Sequence, residues 1–453
     1  MRFLLLCLAA CVMLGCESDP FLEPATDETD WDAALTDVLT EASGGAGPSY
    51  FMLPEANDFS AIPQDPRNPI TVEKVRLGKL LYHETGLAIN PKRPESIGTY
   101  SCASCHHAAA GFQAGSRHGV SEGGWGFGTD GSARRAHPSY PVDELDIQPI
   151  RTPSALNVAY QPVTLWNGQF GATDMNASTA HLWPASDHPV ATNRLGYEGA
   201  ETQAIAGLAV HRLAVNSSTV VGIDQNTEYV RLFDAAFSDW PTNERISNET
   251  AGLAIAAYER TLLANRAPFQ RWLRGEEWAL KEQQKHGAVL FFGKAGCTDC
   301  HTGPALNSMT FHALGMGDLA GNGVHSPYNP DDLAHLGRGG FTGNPADNYK
   351  FKTPQLYNLA DAPFYGHGGT FRSIRDVILY KNDARPEHAA FAAGKQQSAM
   401  QPLSLTEDEV DALTAFLEVG LRDPSLTRYV PSHLPTGNCF PVADAASRRD
   451  LGC

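Results

Sequence analysis

Residues 297–301 read Cys297-Thr298-Asp299-Cys300-His301, and residues 102–106 read Cys102-Ala103-Ser104-Cys105-His106. Beyond the later motif come Lys352-Thr353-Pro354-Gln355-Leu356-Tyr357-Asn358 and then His367-Gly368-Gly369-Thr370-Phe371. Beyond the earlier one come Arg151-Thr152-Pro153-Ser154-Ala155-Leu156-Asn157 and then Trp166-Asn167-Gly168-Gln169-Phe170. The parts come in one order both times, which is the mark of an internal duplication.

Each motif is a CxxCH. Two residues between the cysteines let both sulfurs reach one porphyrin edge, where each closes a thioether on a vinyl group. The adjacent His then swings under the ring to ligate iron. Tetrahedral zinc would need a second Cys or His pair close to each motif, and the sequence offers no matched one. The reading is two covalent haem c groups, on Cys102 and Cys105 with His106, and on Cys297 and Cys300 with His301.

Around the motifs, Val75, Leu77, Leu80 and Leu81 share one face of a helix expected over 72–82. Ala251, Ala254, Ile255, Tyr258 and Leu262 do the same over 249–263, and a third helix, 280–292, leads into Cys297. Thr406 followed by Glu409 is a capping box that opens a helix burying Val410, Leu413, Phe416 and Leu417. The Gly-rich run 111–131 is loop. The expected fold is mainly α: two duplicated c-type cytochrome domains with long loops. The expected order is an N-terminal haem domain over 66–245, a C-terminal one over 246–425 and a tail over 426–453.

At the start, MRFLLLCLAACVMLGC is one Arg and an apolar run too short to span a bilayer, hence a secretory signal over 1–16. Leu14-Gly15-Cys16 fits a lipoprotein cleavage site, with Cys16 lipidated and ordinary cleavage nearby as the alternative. The chain is thus expected in the periplasm, anchored to the outer membrane only by lipid. Residues 17–65, acidic and Pro-containing and then Gly-rich, read as tether and linker. Of nine cysteines, Cys439 and Cys453 are left over, and in an oxidising compartment they are expected to pair. A net charge of −17 excludes nucleic acid, whose phosphates need basic patches. It suits a basic electron donor.

The chain resembles the bacterial di-haem cytochrome c peroxidase family, in the style of its tryptophan-modifying di-haem enzymes. The resemblance runs over roughly residues 70–425. It is carried by LGKLLYHETGL, RTPSALN, KTPQLYNLADAPF and the long run LAIAAYERTLLANRAPFQRWLRGEEWALKEQQKHGAVLFFGKAGCTDCH. It implies that peroxide reacts at the N-terminal haem and that the C-terminal haem passes electrons to it. Trp166 stands at the family's inter-haem tryptophan. An ungapped count back from Glu228-Tyr229-Val230 puts His211 where relatives carry the Glu that moves a proton during O–O cleavage, a task suited to a neutral imidazole.

The resemblance places the outer axial ligand of the C-terminal haem on or beside Tyr380, within Asp376-Val377-Ile378-Leu379-Tyr380-Lys381; Met400 and Met316 are rivals. His118 is the residue that would close the N-terminal haem's outer face, as a removable His does in some peroxidases. Asn157 matches a calcium ligand, with backbone carbonyls of Asp361 to Pro363 as further donors. The implied partners are hydrogen peroxide and either a small redox protein donor or a protein substrate. The implied function is a di-haem oxidoreductase that reduces peroxide. A tryptophan- or protein-modifying oxidase using peroxide and a non-catalytic electron-transfer cytochrome are the alternatives.

Overall fold

The computed structural model describes residues 29–217, 220–392, 394 and 399–453. The expected signal peptide, Cys16 and the first part of the tether lie outside them. The chain from Trp31 to Cys453 forms a single contact unit. Among the described residues it is largely helical, with only two-residue strands: β1 (Gly124–Trp125) pairs antiparallel with β2 (Arg135–Ala136), and β3 (Phe311–His312) with β4 (Phe351–Lys352).

The helix α1 (Trp31–Ala42) falls inside the expected tether. Leu35 and Leu39, one turn apart, are both fully buried, Asp32 takes an ion pair from Lys285, and Trp31 stacks on His286. The tether expectation is therefore corrected: from Trp31 onward this segment is a packed element. Its acidic composition hid two apolar residues at helical spacing, too few to outweigh the linker signal.

Two helix crossings organise the remainder of the chain. The helix α2 (Val72–His83) is capped by Thr71, whose side chain accepts the Lys74 N–H, and it leads toward Cys102. Two further helices, α3 (Gly199–Val210) and α4 (Thr227–Ala236), precede α5 (Asn248–Arg260), which packs on α2 and α3. Gly78 makes the α2–α5 approach possible, since a Cβ there would sit 1.8 Å from the Ala254 carbonyl oxygen. So α5, expected at the head of the second domain, packs against helices of the first. Its residues from Thr250 to Arg260 are buried and need the partners that α2 and α3 supply, and Arg260 ties it to Glu201 of α3 at 2.7 Å with both side chains fully buried.

The second crossing repeats the first. After the short α6 (Pro268–Leu273), α7 (Glu282–Phe292) leads toward Cys297. Short α8 (Arg338–Thr342), then α9 (Ile374–Asp383) and α10 (Ala389–Ala392), come before α11 (Glu407–Ala415), which packs on α7. Here Gly287 gives the close approach, a Cβ there lying 2.0 Å from the Ala412 carbonyl oxygen. Thr406 and Glu409 form the expected capping box.

Asn157 and Asn358, the last residues of the two repeat segments, share their geometry too. Both are left-handed, with φ of 57° and 56°. Asn157 donates its backbone N–H to Leu262 at 2.7 Å and accepts the Ala264 N–H on Oδ1 at 3.0 Å. Asn358 does the same with Leu421 and Asp423, both at 3.1 Å. Each Asn therefore stitches the segment after a haem motif to the end of a partner helix.

The expected disulfide between Cys439 and Cys453 is formed. Around it, Pro441 accepts hydrogen bonds from Ser101 and Ser104, and Asp444 pairs with the buried Arg134. The last helix, α12 (Ala445–Leu451), comes directly after this anchor.

Candidate active site

Both CxxCH motifs line one cavity of about 1250 Å³. That exceeds the roughly 300–1,000 Å³ typical of a small-ligand pocket. At each motif the chain makes one 3₁₀ turn, Cys102–Ser104 and Cys297–Asp299, which swings the following His inward. Nδ1 of His106 lies 3.3 Å from the Phe112 carbonyl oxygen, and Nδ1 of His301 lies 3.1 Å from that of Leu306. A carbonyl only accepts, so Nδ1 carries the proton and Nε2 keeps its lone pair for iron. Burial holds both imidazoles neutral, each pKa pulled down to about 4.

The four motif cysteines form no disulfide, whereas Cys439 and Cys453 are bonded to each other. Among the described residues no group of three His, Cys, Asp or Glu is arranged to hold a metal ion by itself. Free sulfurs paired with one oriented imidazole at each end, on a cavity of this size, fit haem c and do not fit zinc.

His211 caps α3 and lines the cavity together with Cys102, Cys105 and His106. Its Nδ1 is 2.8 Å from Oδ2 of Asp146, a buried carboxylate also hydrogen-bonded by Ser121. Burial alone would lower the His211 pKa, but the charge and hydrogen bond of Asp146 outweigh it and leave it above 6.5. For Asp146, burial pushes upward, and His211, Ser121 and Arg212 together pull the carboxyl below its ordinary range.

Trp166 stands on the wall of the same cavity. Its indole Nε1–H donates to the Arg151 carbonyl at 2.8 Å, and its own carbonyl accepts the Lys352 N–H at 2.7 Å. Arg151 and Lys352 are corresponding residues of the two repeat segments, so Trp166 is pinned by both halves. Its ring meets His367 edge to face at 6.4 Å.

A family model described as di-haem cytochrome c peroxidase matches residues 72–278. Cytochrome-c peroxidase IdrP1 of Denitromonas iodatirespirans is 30% identical over 405 residues, 85% of this chain and 90% of the relative. The chain belongs to the di-haem cytochrome c peroxidase family. Methylamine utilization protein MauG of Methylorubrum extorquens is also 30% identical, over 370 residues, 81% of this chain and 83% of that one. Among solved structures, one described as a MauG-like protein associated with microbial copper homeostasis shares the fold. It has a TM-score of 0.55 and 24% identity, covering 84% of this chain and 96% of that one. The protein is accordingly an oxidoreductase of the di-haem peroxidase type with two haem c cofactors.

Not every expected residue of this peroxidase-family chain reaches the cavity. Tyr380 is turned away: its hydroxyl donates to the Leu314 carbonyl at 2.8 Å and its ring packs on Phe371. The rivals Met400 and Met316 do line the cavity. His118 is 1% exposed and is not on the cavity wall. Its Nε2–H donates to the Gln148 carbonyl at 2.8 Å and its Nδ1 accepts the His325 N–H at 3.0 Å. With both ring nitrogens engaged, His118 braces its loop instead of offering a lone pair to iron. Asn157 spends its side-chain oxygen on the Ala264 N–H, and Asp361 is held by Arg422 and Asn358. These contacts stitch the chain together.

Other cavity residues escaped the sequence reading. Lys381 lines the cavity from α9, with burial pulling its pKa down to about 8. Glu259 lines it from α5, and burial raises its pKa to about 8. Asp146 reaches His211 from a loop 65 residues away in sequence, which no local pattern reveals. Behind His367, Asp318 accepts from His367 at 3.3 Å, His388 at 3.2 Å and Tyr328 at 2.9 Å. This network fixes the ring that faces Trp166.

Proposed function

We propose that hydrogen peroxide is reduced to water at the His106 end of the cavity, with electrons arriving from the His301 end past Trp166. The observation that carries this reading is the cavity itself. One oriented imidazole stands at each end, His211 at one of them, and Trp166 on the wall. A haem bound at each motif supplies the iron redox chemistry.

The chain's own residues supply the rest. Neutral His211 has Nδ1–H on Asp146, so Nε2 is free to take a proton from the bound peroxide oxygen and return it to the departing one. Asp146 sets that tautomer and steadies the imidazolium formed in between. Trp166, pinned by Arg151 and Lys352, gives an oxidisable ring at a fixed position between the two ends. Two electrons and two protons per peroxide balance the reaction to two waters, the electrons coming from a small redox protein or from an oxidised protein side chain.

The matched crossings at Gly78 and Gly287 and the matched Asn157 and Asn358 support a duplicated pair of cytochrome domains, with α5 in the first. The apolar leader and Cys16 support export to the periplasm and a lipid anchor in the outer membrane, and replacing Cys16 by Ser then releases soluble protein on fractionation. Titrating the resting haem-loaded protein with peroxide tests the enzymatic reading. Stoichiometric changes in visible absorbance, reversed by a reduced donor, support it; a spectrum inert to peroxide refutes it.

A further inference from the structure

We propose that Glu122 and Tyr100 form a proton-entry path from solvent to Asp146, completed by an ordered water held on the Tyr100 hydroxyl. This rests on peroxide being reduced at the His106 end and goes further, because it says how protons reach that end. Both are positioning residues that act through Asp146.

The need follows from the balance of the reaction. While the O–O bond breaks, His211 only moves a proton from one peroxide oxygen to the other. The two electrons that complete the conversion of hydrogen peroxide to two waters bring two further protons with them. Both come from solvent.

The first observation is the carboxylate behind His211. Asp146 Oδ2 is taken by His211 Nδ1 and by the Ser121 hydroxyl, which leaves Oδ1 outside both bonds. Asp146 itself lines the cavity, so a proton that reaches it is delivered at the cavity wall. Its backbone N–H donates to the Glu122 carbonyl at 3.1 Å, which ties the two acidic residues together.

The second observation is a way out to solvent. Glu122 is fully buried, and its Oε2 accepts from Arg212. Its Oε1 accepts from the Tyr140 hydroxyl and, at 3.1 Å, from the Arg93 backbone N–H. Both arginines continue to Glu144: Arg93 pairs with its carboxylate, and Arg212 donates to its carbonyl at 3.1 Å. The side chains of Arg93 and Glu144 are each 32% exposed, so this end of the cluster is open.

The third is the Tyr100 hydroxyl. It is fully buried and, among the described residues, has no hydrogen-bond partner. Glu122, Asp146, Arg212 and Tyr140 are the groups that act on it electrostatically. A buried hydroxyl left unpaired is costly, and a buried water typically makes about three hydrogen bonds. A water on Tyr100, with Glu122 and Asp146 as its other partners, satisfies the hydroxyl and joins the two carboxylates. One proton enters this water from Glu122 as another leaves it for Asp146, and Tyr100 stays neutral.

Turnover of the haem-loaded protein with reduced tetramethyl-p-phenylenediamine, which gives electrons without protons, tests this in H2O and in D2O. Tyr100→Phe should slow turnover by about 10²-fold, the low end for a positioned proton transfer. Its solvent isotope effect should rise above the wild-type value, while intact mass still shows two haem additions. Glu122→Gln should shift both readings in the same direction. Wild-type turnover in Tyr100→Phe overturns the proposal. So does slower turnover with an unchanged isotope effect, the mark of a merely structural role. Should Tyr100→Phe not fold, a crystal structure of the haem-loaded wild type decides: a water bonded to Tyr100 and Asp146 is expected, and a Tyr100 hydroxyl without one overturns the path. A wild type inert to peroxide would instead refute the reading beneath it.

Discussion

Asp146 and His211 are a bonded pair, with the carboxylate Oδ2 2.8 Å from the imidazole Nδ1 and the Asp146 side chain almost wholly buried. The carboxylate fixes which ring nitrogen carries the proton and raises the His211 pKa above 6.5. A base works only when unprotonated, so the rate of reaction with peroxide should climb as pH rises through that elevated pKa.

Asp146→Asn removes the charge that raises His211 and should move the acid limb of the pH–rate profile to lower pH. Stopped-flow absorbance across the pH range measures it. A profile that stays in place would show that Asp146 does not govern the titrating group.

Trp166→Phe keeps an aromatic ring but removes the readily oxidised indole and its bond to Arg151. Both haems should remain attached and the first reaction with peroxide should stay fast. Turnover with an external donor should fall, because electrons must cross without the indole. Equal turnover in the two proteins would rule Trp166 out as a relay.

How much of this is legible in the sequence depends on how local the chemistry is. The attachment sites are legible because thioether formation and His ligation need only five consecutive residues. The helices at 72–83 and 282–292 and the Thr406 cap are legible because periodicity and capping act within a few turns. His211, singled out by an ungapped count back from Glu228-Tyr229-Val230, lines the cavity from the end of α3. Tyr380 misses because being on or beside a position is a difference of about 100° on a helix, and only packing on Phe371 and Leu314 decides the phase. His118 misses because its place depends on Gln148 and His325, which a Gly-rich loop brings together from far along the chain.

The buried pair of Arg260 and Glu201 gives a stability prediction. Both side chains are fully enclosed, and Arg260 also bonds Glu198 at 2.9 Å. Arg260→Met leaves a buried carboxylate without its partner and should cost about 3–5 kcal/mol, read from the denaturation midpoint by circular dichroism. Arg260→Met with Glu201→Leu should recover much of that loss. A single variant as stable as the wild type would mean that Glu201 finds another donor or protonates at little cost.

The most direct test is the rate at which oxidised, haem-loaded His211→Ala reacts with hydrogen peroxide, followed by stopped-flow absorbance at neutral pH. General acid–base help of this kind is worth about 10²–10⁴ in rate, so the variant should be slower by that order while its resting spectrum and two haem additions are kept. A variant that reacts at the wild-type rate would contradict peroxide activation by His211 at the His106 end of the cavity.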